Sequence, residues 1–163
     1  MLNRGNARAP VFHKEGDYQA FVDLFVEARL RFPTMRLLAF VLIPDHFRLA
    51  LWASADGELD RWMHSVQTAH VRRYLRHYHS SSHVWQGRLK AFPVQEDERL
   101  LTALRYIERN PLRTDLVPRA EDWPWSSLHS LARGRVLYCV SMLRKSISVT
   151  NEHGMQDGPL LHF

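Results

Sequence analysis

Apolar residues recur every three to four positions in three stretches of the chain, and run together or alternate in two others. Tyr18, Phe21, Val22, Phe25 and Ala28 have the i, i+3, i+4, i+7 spacing of a helix with one buried face. Asp17 opens this helix. Phe32-Pro33 closes it, because the residue before a proline resists helical backbone. Residues 35–43 (MRLLAFVLI) are apolar except for Arg36, which predicts a strand covered on both faces. Residues 46–52 (HFRLALW) predict a second strand, and Pro44-Asp45 between them a hairpin turn. Side chains alternate along a strand, so Phe47, Leu49 and Leu51 share one face and His46, Arg48, Ala50 and Trp52 the other.

A second helix is predicted over roughly 57–79, capped by Asp56, with a stripe of Leu59, Trp62, Met63, Val66, Ala69 and Tyr74. Ser80-Ser81-Ser82 breaks it. A short strand follows within 88–95, and Pro93 places it at an edge or a bulge. Glu96, Asp97 and Glu98 begin a third helix, as the helix dipole favours. Leu100, Ala103, Leu104 and Ile107 form its buried face, and Asn110-Pro111 stops it. With a short strand before the first helix, the order becomes a β-α-β-β-α-β sandwich of ferredoxin-like type, class α+β. Residues 1–130 read as one domain. Residues 131–163 show no sustained period and read as a poorly specified tail.

Composition narrows the class. The 163 residues suit one domain. A single cysteine, Cys139, excludes disulfide scaffolds and four-cysteine zinc sites. The longest apolar run, Leu37 to Ile43, is far below the ~20 residues of a membrane span. No signal peptide is evident, so a soluble cytoplasmic protein is expected, with no membrane partner. The net charge of +5 is unevenly spread. No Asp or Glu occurs from Arg61 to Gln95, a stretch holding Arg61, Arg72, Arg73, Arg76, Arg88, Lys90 and five of the ten histidines. Such a local field suits a polyanion, of which nucleic acid is the commonest.

Three segments carry a resemblance. They are the strand PDHFRLALW, the basic stretch TAHVRRYLRHYHSSSHVWQGRLKAFPV, and the exit RYIERNPLRTDLV followed by AEDWPWSSLH. Together these closely resemble the REP-associated tyrosine transposases, of the HUH-type, insertion-sequence-200-like class, over roughly residues 2–130. The resemblance implies cleavage and rejoining of single-stranded or hairpin DNA, and a homodimer is an expectation. A tyrosine hydroxyl attacks the scissile phosphate, so that one hard step becomes two reversible ones. The implied nucleophile is Tyr106, on the flank of the third helix. The implied metal ligands are His46 and Asn110, with Mg²⁺ or Mn²⁺ polarising the phosphate. Tyr106 and Asn110 are i and i+4, neighbours on one helix face, although Pro111 biases Asn110 out of the helix. Arg48, Arg72, Arg73, Arg76, Arg88 and Lys90 are expected to contact DNA. Trp85 is expected either to stack on the strand or to pack in the core.

The sequence departs from the family at the metal motif. The family pattern puts histidines at positions 46 and 48, but this chain has His46-Phe47-Arg48. Arginine offers donors only and stays protonated, so it cannot ligate a metal. Metal binding is therefore expected to be weak or absent, and activity impaired. Arg48 either replaces the ion's charge or marks a decayed copy. The chain also begins inside what looks like the family's first strand, so that strand is expected to be truncated. The alternative function is a non-catalytic module that binds DNA hairpins.

Overall fold

The hairpin around Pro44-Asp45 forms the middle of the sheet. In the computed structural model, residues 1–81, 83–87, 89–95, 97–134 and 161–162 are described, the last two by backbone alone. The elements are β1 (Leu2–Arg4), α1 (Glu15–Arg31), β2 (Arg36–Ile43), β3 (His46–Trp52), α2 (Glu58–Tyr78), β4 (Pro93–Val94), α3 (Glu98–Glu108), α4 (Asn110–Arg113), α5 (Ser127–Ala132) and β5 (Leu161–His162). Strand β3 pairs antiparallel with β2 along one edge. Along its other edge it pairs with β1 opposite residues 46–48 and with β5 at Leu51. Lys90 bridges to Leu2, and β4 pairs with β5. One lane of the sheet is thus shared by β1 and β5, between β3 and residues 90–94.

The alternation read from the sequence decides what each face meets. Phe47, Leu49 and Leu51 pack with α1 and α2 on one side, through Phe21, Phe25, Trp62, Met63 and Val66. Ala50, Leu38, Val41 and Ile43 pack on the other side against Leu100, Leu104 and Ile107 of α3. A register shift between Leu37 and Ala39 places Leu38 and Ala39 in the same cluster. The result is an α+β sandwich with helices on both faces of a mostly antiparallel sheet.

Local chemistry sets the boundaries. Helix α1 begins two residues before Asp17, because the Asp17 carboxylate accepts from the backbone N–H groups of His13 and Lys14. Asp17 is therefore the N3 residue and not the cap. At Gly5, whose N–H donates to the Asp45 carbonyl at 2.7 Å, an added Cβ would collide with the Ala9 carbonyl oxygen. The DWPWSS segment covers the free edge of β2. Trp123 Nε1 donates to the Leu42 carbonyl at 2.8 Å, Leu42 N to the Trp125 carbonyl at 2.9 Å, and Phe40 N to Ser127 Oγ at 3.1 Å. An uncovered edge strand invites pairing with other chains, so this segment has a protective role.

Further expectations change. Asp56 does not cap α2, whose N-cap is Gly57 in the left-handed conformation, with no side-chain cap hydrogen bond. The predicted strand over 88–95 is reduced to Pro93–Val94 and the single bridge at Lys90. The third helix ends at Glu108, just before Asn110-Pro111 as expected, but the helical path then resumes. After Arg109 a new turn, α4, begins, and Pro111 takes an early position in it, where a missing N–H costs nothing. Among the described residues no helix is long and apolar enough to cross a membrane.

Candidate active site

The site is built where the α3 face of β3 meets the end of α3. His46 is buried at the start of β3. Its Nδ1 lies 2.6 Å from Asp45 Oδ1, and its Nε2 lies 3.1 Å from Asn110 Oδ1. The Asp45 carboxylate only accepts, so Nδ1–H donates to it; Asn110 Oδ1 also only accepts, so the contact at Nε2 is a hydrogen bond when Nε2 carries a proton. Asn110 is itself buried, one helical turn beyond Tyr106. Sequence analysis named both residues. It missed Asp45, which fixes the ring.

Tyr106 is 38% exposed on α3, so its ring is anchored while solvent and ligands can reach it. Two guanidiniums lie over that ring. The Arg48 Cζ is 4.9 Å from the centroid, and the Arg113 Cζ is 4.6 Å from it. Arg48 is half-buried, and its Nε–H is buried without a partner. Burial holds the Arg48 guanidinium below its ordinary pKa. The Tyr106 hydroxyl opposes that shift, and Arg113 adds to it. Arg113 escaped the sequence reading because Pro111 was taken as a stop. With α4 continuing the path, position i+7 returns to the face of Tyr106.

A metal implied by the family does not fit this donor set. His46 Nε2 and Asn110 Oδ1 are spaced as two ligands of one small cation would be, at roughly 2.1 Å from each. Where the family pattern has a second imidazole, Arg48 instead puts a donor-only cation. Among the described residues, no group of three or more His, Cys, Asp or Glu side chains is placed to hold an ion.

The other expected DNA contacts divide between two surfaces. Cross-strand register puts Leu2 beside Arg48 and Arg4 beside His46, and Lys90 bridges to Leu2. Arg4, Gln86, Lys90, His46 and Arg48 line one groove of about 430 Å³. Tyr106 borders a separate groove of about 640 Å³ with Val94, Thr102 and Ala103. Arg72, Arg73 and Arg76 are not there. With Arg31, Arg61 and His64 they line a groove of about 890 Å³ on α2, in the layer across the sheet from Tyr106. Arg88 lies outside the described residues. Trp85 is corrected to a core residue. It is 9% exposed, and its ring packs 5.0 Å from Phe47 and 5.1 Å from His70, so it offers no stacking face. Tyr74 and Tyr78 also lie on α2. Their hydroxyls are engaged by His13 at 2.9 Å and by Asp17 at 2.5 Å, which leaves them poorly placed to attack a phosphate.

The chain is similar over 97 residues, at 26% identity, to the REP-associated tyrosine transposase of Escherichia coli (strain K12), covering 59% of this chain and 56% of that protein. A second relative is a putative REP-associated tyrosine transposase of Haemophilus influenzae (strain ATCC 51907 / DSM 11121 / KW20 / Rd), 24% identical over 106 residues, with 56% of this chain and 58% of that protein covered. The chain thus spans little more than half the length of these relatives. Its fold is that of a REP-associated tyrosine transposase solved bound to a REP hairpin, with a TM-score of 0.65 at 20% identity over 86% of this chain and 84% of that one. The sequence pattern of the IS200-like transposases matches residues 2–110, a span that holds Tyr106, His46, Arg48 and Asn110, and the chain belongs to that family.

Proposed function

We propose that this chain binds DNA with a hairpin and a single-stranded flank, and that Tyr106 is its strand-transfer nucleophile. The observation that carries the reading is the setting of Tyr106. It is the accessible tyrosine one turn from the His46–Asn110 pair, and two cations lie over its ring. In the step, Tyr106 Oη bonds to phosphorus and the P–O3′ bond breaks. The phenolic proton ends on the released 3′-OH, leaving a 5′-phosphotyrosine. Attack by a 3′-OH reverses the step and rejoins the strand. Arg4, Arg48 and Lys90 would hold the strand at the reacting face, and Arg72, Arg73 and Arg76 a flanking segment on α2. Because the donor set around His46 and Asn110 does not fit Mg²⁺ or Mn²⁺, metal-dependent cleavage is expected to be weak or absent.

The test is a labelled hairpin with a single-stranded flank, incubated with the protein and resolved under denaturing conditions. A covalent DNA–protein band is expected at low yield. The second reading is a hairpin-binding module that does not cut, and the position of Arg48 favours it. Binding with no covalent band under any metal condition would select that reading.

A further inference from the structure

Arg48 and Arg113 come from different elements, β3 and α4, and converge on one tyrosine ring. Among the described residues, neither guanidinium has a carboxylate within ion-pair distance. The ion pairs nearby in sequence are His46–Asp45 and Arg99–Asp97. Arginine over tyrosine is ordinary packing, and one such contact would need no further account. Here two guanidiniums lie over one ring, at 4.9 and 4.6 Å from its centroid, with no carboxylate paired to either among the described residues, and the Arg48 Nε–H is buried with no acceptor there. A buried donor left unmade is costly, and an acceptor arriving from outside is one way to satisfy it; unlike Trp85 Nε1, the Arg48 Nε–H belongs to a residue that lines an open groove.

We infer that Arg48 and Arg113 form a phosphate clamp that holds the scissile phosphate at Tyr106 without a divalent ion. This inference rests on the reading of Tyr106 given above and deepens it. Each guanidinium presents a planar fork that matches two oxygens of a phosphate. A phosphodiester brings one negative charge and two non-bridging oxygens, enough to accept from both forks. It would also offer an acceptor to the Arg48 Nε–H. Fixed donors aimed at charge that builds on phosphoryl oxygens do electrostatically what a bound cation does in other sites. Arg4 and Lys90, on the same face, continue the positive track away from the clamp.

The test uses the full-length protein in excess EDTA, titrated with inorganic phosphate. The arginine Nε–H resonances are followed by NMR and assigned with Arg48→Lys and Arg113→Lys. Both signals should shift and saturate, and a single-stranded oligonucleotide should compete for the same shifts. Arg113 is exposed, so Arg113→Gln should fold, and it should weaken phosphate binding about tenfold. Arg99→Gln should leave binding unchanged. No saturable shift, a shift that appears only after Mg²⁺ is added, or equal weakening by Arg99→Gln would overturn the clamp. Intact phosphate binding with no covalent adduct under any condition would overturn the strand-transfer reading instead.

Discussion

His46 Nε2 and Asn110 Oδ1 meet at 3.1 Å although 64 positions separate them in the chain. The contact joins the first residue of β3 to the first residue of α4. It therefore fixes where the end of α3 sits over the sheet, and with it the position of Tyr106. A strand of His46 and Arg48 and a helix of Tyr106 become one site through this junction and through the packing of Leu100, Leu104 and Ile107 on the sheet.

Tyr106→Phe removes one hydroxyl and little packing. DNA binding should stay within about twofold, while the covalent adduct disappears. A denaturing gel and an equilibrium binding assay on the same preparation read both. An adduct that persists in the variant would show that another residue attacks.

Arg48→His should raise Mn²⁺-dependent cleavage. Two unit charges ~4 Å apart repel by roughly 4 kcal/mol at an effective dielectric of 20. Relief of even part of that, together with a second imidazole, should strengthen metal affinity by more than tenfold, since about 1.4 kcal/mol is a factor of ten. Cleavage with and without Mn²⁺, with folding checked by circular dichroism, compares the two proteins. Strong metal-dependent cutting by the unaltered chain would refute the impairment.

The α2 groove should contribute to binding and not to chemistry, because it lies across the sheet from Tyr106. Replacing Arg72, Arg73 and Arg76 together by Gln removes three cations. The slope of log affinity against log salt should become shallower by about 2, at about 0.7 per phosphate contact on a single strand. Adduct yield at saturating DNA should not change. An unaltered slope would remove this face from the DNA path.

His70 should make folding sensitive to mild acid. It is 3% exposed, its Nδ1 has no partner, and burial pushes its pKa down from 6.5 to about 4, with Asp17 opposing and Arg73 adding to the shift. The unfolded chain binds a proton that the folded chain refuses between those two values. This contribution to stability is complete above pH 6.5 and is lost as pH falls towards 4, by up to ~3 kcal/mol. Urea unfolding at several pH values measures it. In His70→Phe that part of the pH dependence should flatten. An unchanged profile would show that other groups carry it.

Sequence alone determined the elements that rest on local periodicity. The stripe from Tyr18 to Ala28, the run Leu37–Ile43 and the alternation through His46–Trp52 each specify their own buried faces. Residue spacing also placed His46 with Arg48, and Tyr106 with Asn110, as two same-face pairs. Tertiary structure decided how those pairs meet, because nothing local links a strand to a helix 64 residues away. It also decided the fate of residues whose chemistry is ambiguous. Trp85 and His70 fill the layer between the sheet and α2, where aromatic area outweighs two unmet N–H or ring-nitrogen contacts. The acid-free stretch, continuous in sequence, is divided by the sheet into two surfaces, with Lys90 beside the site and Arg72, Arg73 and Arg76 behind it. Arg113 reaches Tyr106 because Pro111 sits early in a helical turn, where its ring and missing N–H are tolerated.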